Sequence, residues 1–195
     1  MSTTPQIAGY DYGHTPHSPV TLDEFALLKA TAGFTDADQQ ALHRAADVLA
    51  PNAEALVDGW RKIIGSQQQL AHWFVGPGGK GDERYKAAVK PRFVQWVVDL
   101  CTKPLDQDWL DYQQEIALRH TPAKKNLTDH ANTPAHVPLR YLLAFVPPIL
   151  ESVRGRLQDS GLPPDEIERM HSAWTKAVML SVTLWSRPYT SDDLW

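Results

Sequence analysis

The chain has 195 residues, of which 43% are hydrophobic and 22% charged, and this composition is ordinary for a globular protein. Its length predicts one domain built around a single core. A formal net charge of −4, with no run of basic residues interleaved with aromatic ones, argues against nucleic acid and anionic membranes as partners.

Cysteine use and the N-terminal residues predict a cytoplasmic protein. Cys101 is the only cysteine, so the sequence excludes an internal disulfide and a zinc site made of several thiolates. The N-terminus lacks the charged start and apolar run of a secretory signal, and a run of about eighteen apolar residues does not occur. We therefore expect neither export by that route nor a membrane-spanning helix.

Helix-start signals recur along the first part of the chain. After an N-terminal arm rich in Pro, Gly and His (1–20), Thr21 and Glu24 make a capping box, in which two side chains bind free backbone N–H groups. Thr35 and Asp38 repeat the pattern. The apolar residues that follow each signal recur at three- and four-residue spacing, as one face of a helix requires.

The rest of the chain is also predicted to be helical. Asp82 can cap a helix in which Pro91 should cost one hydrogen bond and bend the axis. The other predicted elements are a helix over 53–65, a helix ending at His120, an irregular loop over 121–136, and two long helices over about 138–157 and 163–186. The sequence therefore predicts six to eight helices, no sheet, and one all-α domain over 1–195.

The stretch YQQEIALRHTPAKKN carries a histidine at the predicted end of its helix. Residues three, four, seven and eight apart share one face of a helix, which places His120 on the side of Ile116 and Trp109, facing inward. Pro122 disfavours helix in the residue before it, and the polar residues 124–126 are expected to return the chain to water.

Two interpretations of His120 remain open on spacing alone. A core histidine satisfied by a carbonyl or hydroxyl is the more common case. The alternative is a haem ligand, which needs an apolar slot between helices, one neutral imidazole and bulky side chains on the opposite face. Four other segments supply such side chains, which plain core packing explains equally well: Trp60, Phe74, Phe93 and Phe145.

A resemblance favours the haem interpretation. Separated segments along the whole chain, in one register, resemble protoglobin, the single-domain relative of the globin-coupled sensors: IAGYDYG (7–13), WLDYQQEIALRH (109–120), KKNLTD (124–129), PLRYLLAFVPPI (138–149) and LWSRPY (184–189). The resemblance implies a globin fold with an extra N-terminal helix and an N-terminal arm. It also implies a haem b that is buried more completely than in most globins.

The resemblance assigns roles to the candidate residues. His120 corresponds to the proximal iron ligand, and Trp60, Phe93 and Phe145 fall where the family places its aromatic distal and cavity-lining residues. Phe74 is a further candidate for contact with the haem. The family also pairs through its last two long helices, which here carry apolar residues on more than one face, so a symmetric homodimer is expected.

Two positions depart from the family's pattern. Arg61 stands where protoglobins usually have a tyrosine, whose hydroxyl can donate to the bound gas. An inward arginine would favour ligands that carry negative charge, whereas an outward one would leave Trp60 or His72 as the fallback donor; we expect the outward orientation. Pro91 also departs from the pattern and could shift Phe93.

Three classes of function are considered. The first is reversible binding or sensing of O2, CO or NO at a five-coordinate haem iron. The second is a haem enzyme that acts on nitrogen oxides or peroxides, and the third is a helical interaction module without a cofactor. The sequence favours the first class, since no second histidine is obviously placed for peroxidase-like chemistry and no reductase domain accompanies the helices.

Overall fold

The computed structural model describes residues 6–195, so the first five residues of the predicted arm lie outside the described residues. The described chain is all-helical, as predicted, with one isolated β-bridge between Val75 and Gly81. Its nine α-helical segments are α1 (Leu22–Thr31), α2 (Asp36–Leu49), α3 (Ala53–Ser66), α4 (Gln68–Ala71), α5 (Glu83–Thr102), α6 (Gln107–Leu118), α7 (Leu139–Ala144), α8 (Val146–Gln158) and α9 (Pro164–Ser186). Short 3₁₀ turns cover Ala50–Asn52, His72–Phe74 and Arg187–Tyr189.

The predicted helix starts are confirmed by their hydrogen bonds. The Glu24 carboxylate accepts from the backbone N–H of Thr21 at 2.8 Å, and the Thr21 hydroxyl accepts from the N–H of Glu24 at 3.2 Å. The Asp82 carboxylate accepts from the N–H of Tyr85 at 2.9 Å at the start of α5. α5 then continues through Pro91 to Thr102 without a break.

The helix predicted over 138–157 is divided at Phe145 into α7 and α8, so its prediction as one helix was wrong. Pro147 and Pro148 lack N–H groups, which leaves the carbonyls of Leu143 and Ala144 without helical donors. The same two prolines stand in the first turn of α8, where an N–H would have no helical acceptor. The break is therefore a consequence of the proline pair.

The core lies where α2, α5, α6 and α8 pack around α9. Its largest fully buried side chains include Trp60, Trp109 and Trp174, which come from three different helices. No helix in the described part of the chain is long and apolar enough to cross a membrane. The packing of this core leaves a cavity that one side of each of α3, α5, α6 and α8 faces.

Candidate cofactor site

A cavity of about 660 Å³ lies between α3, α5, α6, α8 and α9. Its wall includes a set of apolar side chains from these helices: Val89, Phe93, Ile116, Phe145, Ile149 and Val178. Pockets for small ligands and cofactors commonly measure about 300–1,000 Å³ and are mainly apolar with a few polar groups. Size and lining therefore suit a large, mainly apolar cofactor.

His120 reaches this cavity from the turn after α6. The helix ends at Leu118, two residues earlier than the predicted end, and the N–H of His120 donates to the Ala117 carbonyl at 3.0 Å. The imidazole Nδ1 lies 2.8 Å from the carbonyl oxygen of Ile116. A carbonyl only accepts, so Nδ1 carries the proton and Nε2 keeps its lone pair.

The imidazole is kept neutral by its surroundings. Burial lowers the pKa of His120 below its ordinary value, the hydrogen bond to Ile116 opposes this, and the charge of Lys125 adds a smaller lowering effect. Nε2 makes no hydrogen bond within the described chain. A neutral imidazole with a free Nε2 is the form that binds a metal ion.

Three contacts, from Val137 in the loop before α7 and from two residues near the C-terminus, hold His120 in place. Its ring stacks on Trp185, with centroids 5.9 Å apart and planes at 25°. Its carbonyl oxygen accepts from the N–H of Val137 at 2.8 Å. The Tyr189 hydroxyl donates to the Val137 carbonyl at 2.6 Å and lies 3.2 Å from the His120 carbonyl oxygen. Ring and backbone are therefore both fixed.

The other candidate residues divide into two groups. Phe74, Phe93 and Phe145 line the cavity together with His120. Trp60 lies behind this wall: it is fully buried, its ring centroid is 5.2 Å from that of Phe93, and its indole N–H donates to the Ser152 hydroxyl at 2.6 Å. The structure thus gives Trp60 a contact with Phe93 and a hydrogen bond directed to α8.

Arg61 lies at the rim of the cavity, about one third exposed. One guanidinium nitrogen lies 3.4 Å from the carbonyl oxygen of Lys86 in α5, and another lies 3.7 Å from the Asp58 carboxylate. His72, the other fallback donor, is not among the residues that line the cavity and contacts the edge of Trp73. The polar partners of Arg61 are thus on the rim.

The N-terminal arm packs over one side of the cavity. Arg92, a lining residue, donates to the Ala8 carbonyl at 2.9 Å and forms a two-pronged ion pair with Asp129. Arg119, also a lining residue, donates to the Gly9 carbonyl at 2.6 Å. The Tyr10 hydroxyl donates to the buried Asp99 carboxylate at 2.8 Å, which anchors the arm further along α5.

The sequence did not reveal several residues of the site. Lys125 was expected to return to water with its neighbours, but its side chain is buried at 3% exposure and lines the cavity, so that prediction was wrong. One of its two polar partners, the Trp73 carbonyl, lies 52 positions away, and the local pattern does not show such a contact. Trp185 could have been suspected, since it lies on the apolar stripe of α9 together with Val178 and Val182.

Comparison with known proteins bears out the resemblance. The protoglobin family model matches residues 21–195. The globin domain of the Geobacter sulfurreducens globin-coupled sensor has a similar structure, with a TM-score of 0.68 and 18% sequence identity over 88% of this chain and 99% of that chain. At this identity the likeness concerns the fold, and it agrees with the predicted globin architecture. No curated protein sequence matches the chain. The chain therefore belongs to the protoglobin family, and membership of a globin family implies a haem cofactor and a role in binding or sensing gas.

Proposed function

We propose that this protoglobin binds haem b through His120 and reversibly binds a diatomic gas, O2, CO or NO, on the opposite face of a five-coordinate iron. The observation that carries the proposal is the neutral imidazole, with Nδ1 committed to a carbonyl and Nε2 free, in the wall of an apolar cavity of about 660 Å³. Bound haem supplies an iron atom with one position for the imidazole and one for the gas.

Three residues of the cavity wall have a part in this function. His120, whose ring is fixed by Trp185 and whose backbone is fixed by the N–H of Val137, would hold the iron of the bound cofactor. Phe93 and Phe145 restrict the space open to a gas and exclude water from it. Such exclusion favours reversible binding, because water and protons promote oxidation of the iron.

The proposal is tested by replacing His120 with alanine. The variant is expected to lose the Soret band and the ferrous CO spectrum of the wild type, because the protein's bond to iron is removed. Far-ultraviolet circular dichroism should show that the helices remain. An unchanged spectrum in this variant would contradict the assignment.

His171→Ala is the matched control. This histidine is also largely buried and also bonds a carbonyl, that of Leu150 at 3.1 Å, but it is not among the residues that line the cavity. Its loss should leave the haem spectrum intact. Loss of the spectrum in both variants would point to general destabilisation and would remove the support for His120.

We further propose that the protein is a cytoplasmic homodimer. Each protomer is one globin domain, with the arm as its N-terminal part. Cys101 is buried, and burial raises the pKa of its thiol to about 12, which suits an unreactive thiol in a reducing compartment. Most apolar residues of α9 face the protein's own core. Leu143 of α7 and Met179 of α9 remain, at 47% and 43% exposure, as apolar surface for a partner.

A further inference from the structure

Lys125 is a buried cation on the wall of the cavity. Its side chain is 3% exposed, and Nζ donates to the Trp73 carbonyl at 2.8 Å and to the Thr133 hydroxyl at 2.7 Å. The Thr133 proton is itself directed to the side-chain oxygen of Asn126 at 2.9 Å, so this hydroxyl acts as an acceptor for Lys125. The Tyr85 ring lies 5.1 Å from Nζ. All these partners are neutral.

The other cationic residues that line the cavity have a carboxylate partner or are exposed to water. Five of them lie within 4 Å of a carboxylate. These ion pairs are Arg61 with Asp58, Lys86 with Glu83, Lys90 with Glu54, Arg92 with Asp129, and Arg119 with Glu115. Lys62 is exposed to water. Within the described chain, Lys125 is thus the cavity-lining cation that is both buried and without a carboxylate.

Trp73, beside Lys125, has a buried donor without an acceptor. Its carbonyl accepts from Lys125, the residue is among those that line the cavity, and its indole N–H is buried without an acceptor in the described chain. Buried N–H groups normally have a partner. The indole N–H groups of Trp96, Trp109 and Trp174 are also buried without one, and Trp73 differs from them in that its carbonyl accepts from Lys125. Burial also lowers the pKa of Lys125 to about 8, because desolvation disfavours the charged ammonium.

We propose that Lys125 and Trp73 bind a carboxylate on this side of the cavity, and that this carboxylate is a propionate of the haem. The inference rests on the proposed function, because it assigns an orientation to the same cofactor. A carboxylate here gives the ammonium a counter-ion and can give the indole N–H an acceptor. Charge-assisted hydrogen bonds of this kind are among the stronger ones in proteins.

The test compares haemin with haemin dimethyl ester, in which both propionates are neutral. Each is titrated into the apoprotein, and the dissociation constant is measured from the Soret absorbance. Lys125→Met is expected to weaken haemin binding about tenfold or more relative to the wild type, the usual effect of losing a charge-assisted hydrogen bond. The same variant should bind the ester within about twofold of the wild type.

Lys124→Met is the matched control, because it removes the same charge one residue away. Lys124 pairs with Glu115 at 2.5 Å and is not among the lining residues. It should leave both affinities unchanged. Lys125→Gln keeps a donor for Trp73 or Thr133 without the charge, and it replaces the methionine variant if that variant does not fold.

The outcomes separate this inference from the proposed function. Equal weakening for haemin and its ester, or no weakening for either, would overturn the carboxylate site while leaving haem binding intact. A wild-type apoprotein that binds neither compound would overturn both. Trp73→Phe should weaken haemin binding by a smaller factor and leave the ester unaffected. Unchanged haemin affinity, or an equal loss for haemin and ester, would contradict the role of the indole.

Discussion

Arg61 and Pro91 are the two positions that depart from the protoglobin pattern, and they act on the same part of α5. The Arg61 guanidinium lies 3.4 Å from the carbonyl oxygen of Lys86, in the turn of α5 that precedes Pro91. Proline has no N–H, so the carbonyl four residues before it, that of Ala87, loses its helical donor. Arg61 thus contributes a donor to the part of α5 that the proline weakens, and its charge stays at the rim beside Asp58.

Replacing Arg61 with leucine is therefore expected to change the O2 dissociation rate by less than about twofold. A charged donor that reached the bound gas would contribute roughly 1.5–3 kcal/mol, and its loss would raise the rate about tenfold or more. Stopped-flow measurements with O2 and CO distinguish these cases. A large change confined to O2 would show that the side chain turns inward, and equal changes for both gases would indicate altered access.

Trp60→Phe tests whether Trp60, which the sequence offered as another donor to the bound gas, has that role. Its indole N–H donates to Ser152, so the variant should lose about 1 kcal/mol of unfolding free energy, measured with denaturant, and keep the O2 dissociation rate. A marked rise in that rate would show that the indole is a donor to the gas after all.

Single residues also show which contacts the sequence predicts and which it does not. The inward face of His120 follows from helical spacing, because Ile116 lies four residues earlier on the same helix. The hydrogen bond of Trp60 to Ser152 joins residues 92 positions apart, and the partners of Lys125 include Trp73, 52 positions away. Contacts of this kind depend on how helices pack, which no local pattern specifies.

At the scale of elements, capping boxes located the helix starts well, and prolines caused the largest error. The prolines after Phe145 divide one expected helix, while Pro91 interrupts no helix. The difference is physical: two successive residues without N–H groups remove two hydrogen bonds at once, whereas Pro91 removes one and α5 continues past it. Periodicity of apolar residues continues across both sites and does not distinguish them.

The N-terminal arm gives a testable element. Gly9 has φ +70°, and an added Cβ would lie 2.8 Å from Arg92 Nη1 and from Thr128 Cγ2. Gly9→Ala is therefore expected to release the arm from the cavity side, which should appear as faster limited proteolysis and a lower unfolding free energy.

Gly13→Ala is the matched control for this prediction. Gly13 has φ +77°, so alanine meets the same backbone strain, but its nearest neighbour would be an Asp108 carboxylate oxygen at 3.7 Å, an ordinary contact. Gly9→Ala should be less stable than Gly13→Ala by about 1 kcal/mol or more. Equal stabilities and equal cleavage rates would mean that the close packing of Gly9 on Arg92 does not hold the arm.

At the scale of the whole molecule, the surface of α7 and α9 bears on assembly. The wild type is expected to be a dimer by light scattering at micromolar concentration, and Leu143→Glu combined with Met179→Glu should yield monomers, because paired apolar surface becomes charged. Leu27→Glu is the control, since Leu27 of α1 is more exposed, at 70%, and lies outside this surface. A monomeric wild type, or a double variant that remains dimeric, would contradict the proposed interface.

The partner of the His120 Nδ1 has an electrochemical consequence. A carboxylate at this position would draw the proton from the ring and make the imidazole a strong electron donor to iron, which lowers the reduction potential. Here the acceptor is the uncharged Ile116 carbonyl, and Glu115, the neighbouring acid, is occupied by Arg119 and Lys124. If haem binds through His120 as proposed, this weak donation is expected to favour the reduced state of the iron and to give little push toward cleavage of an O–O bond.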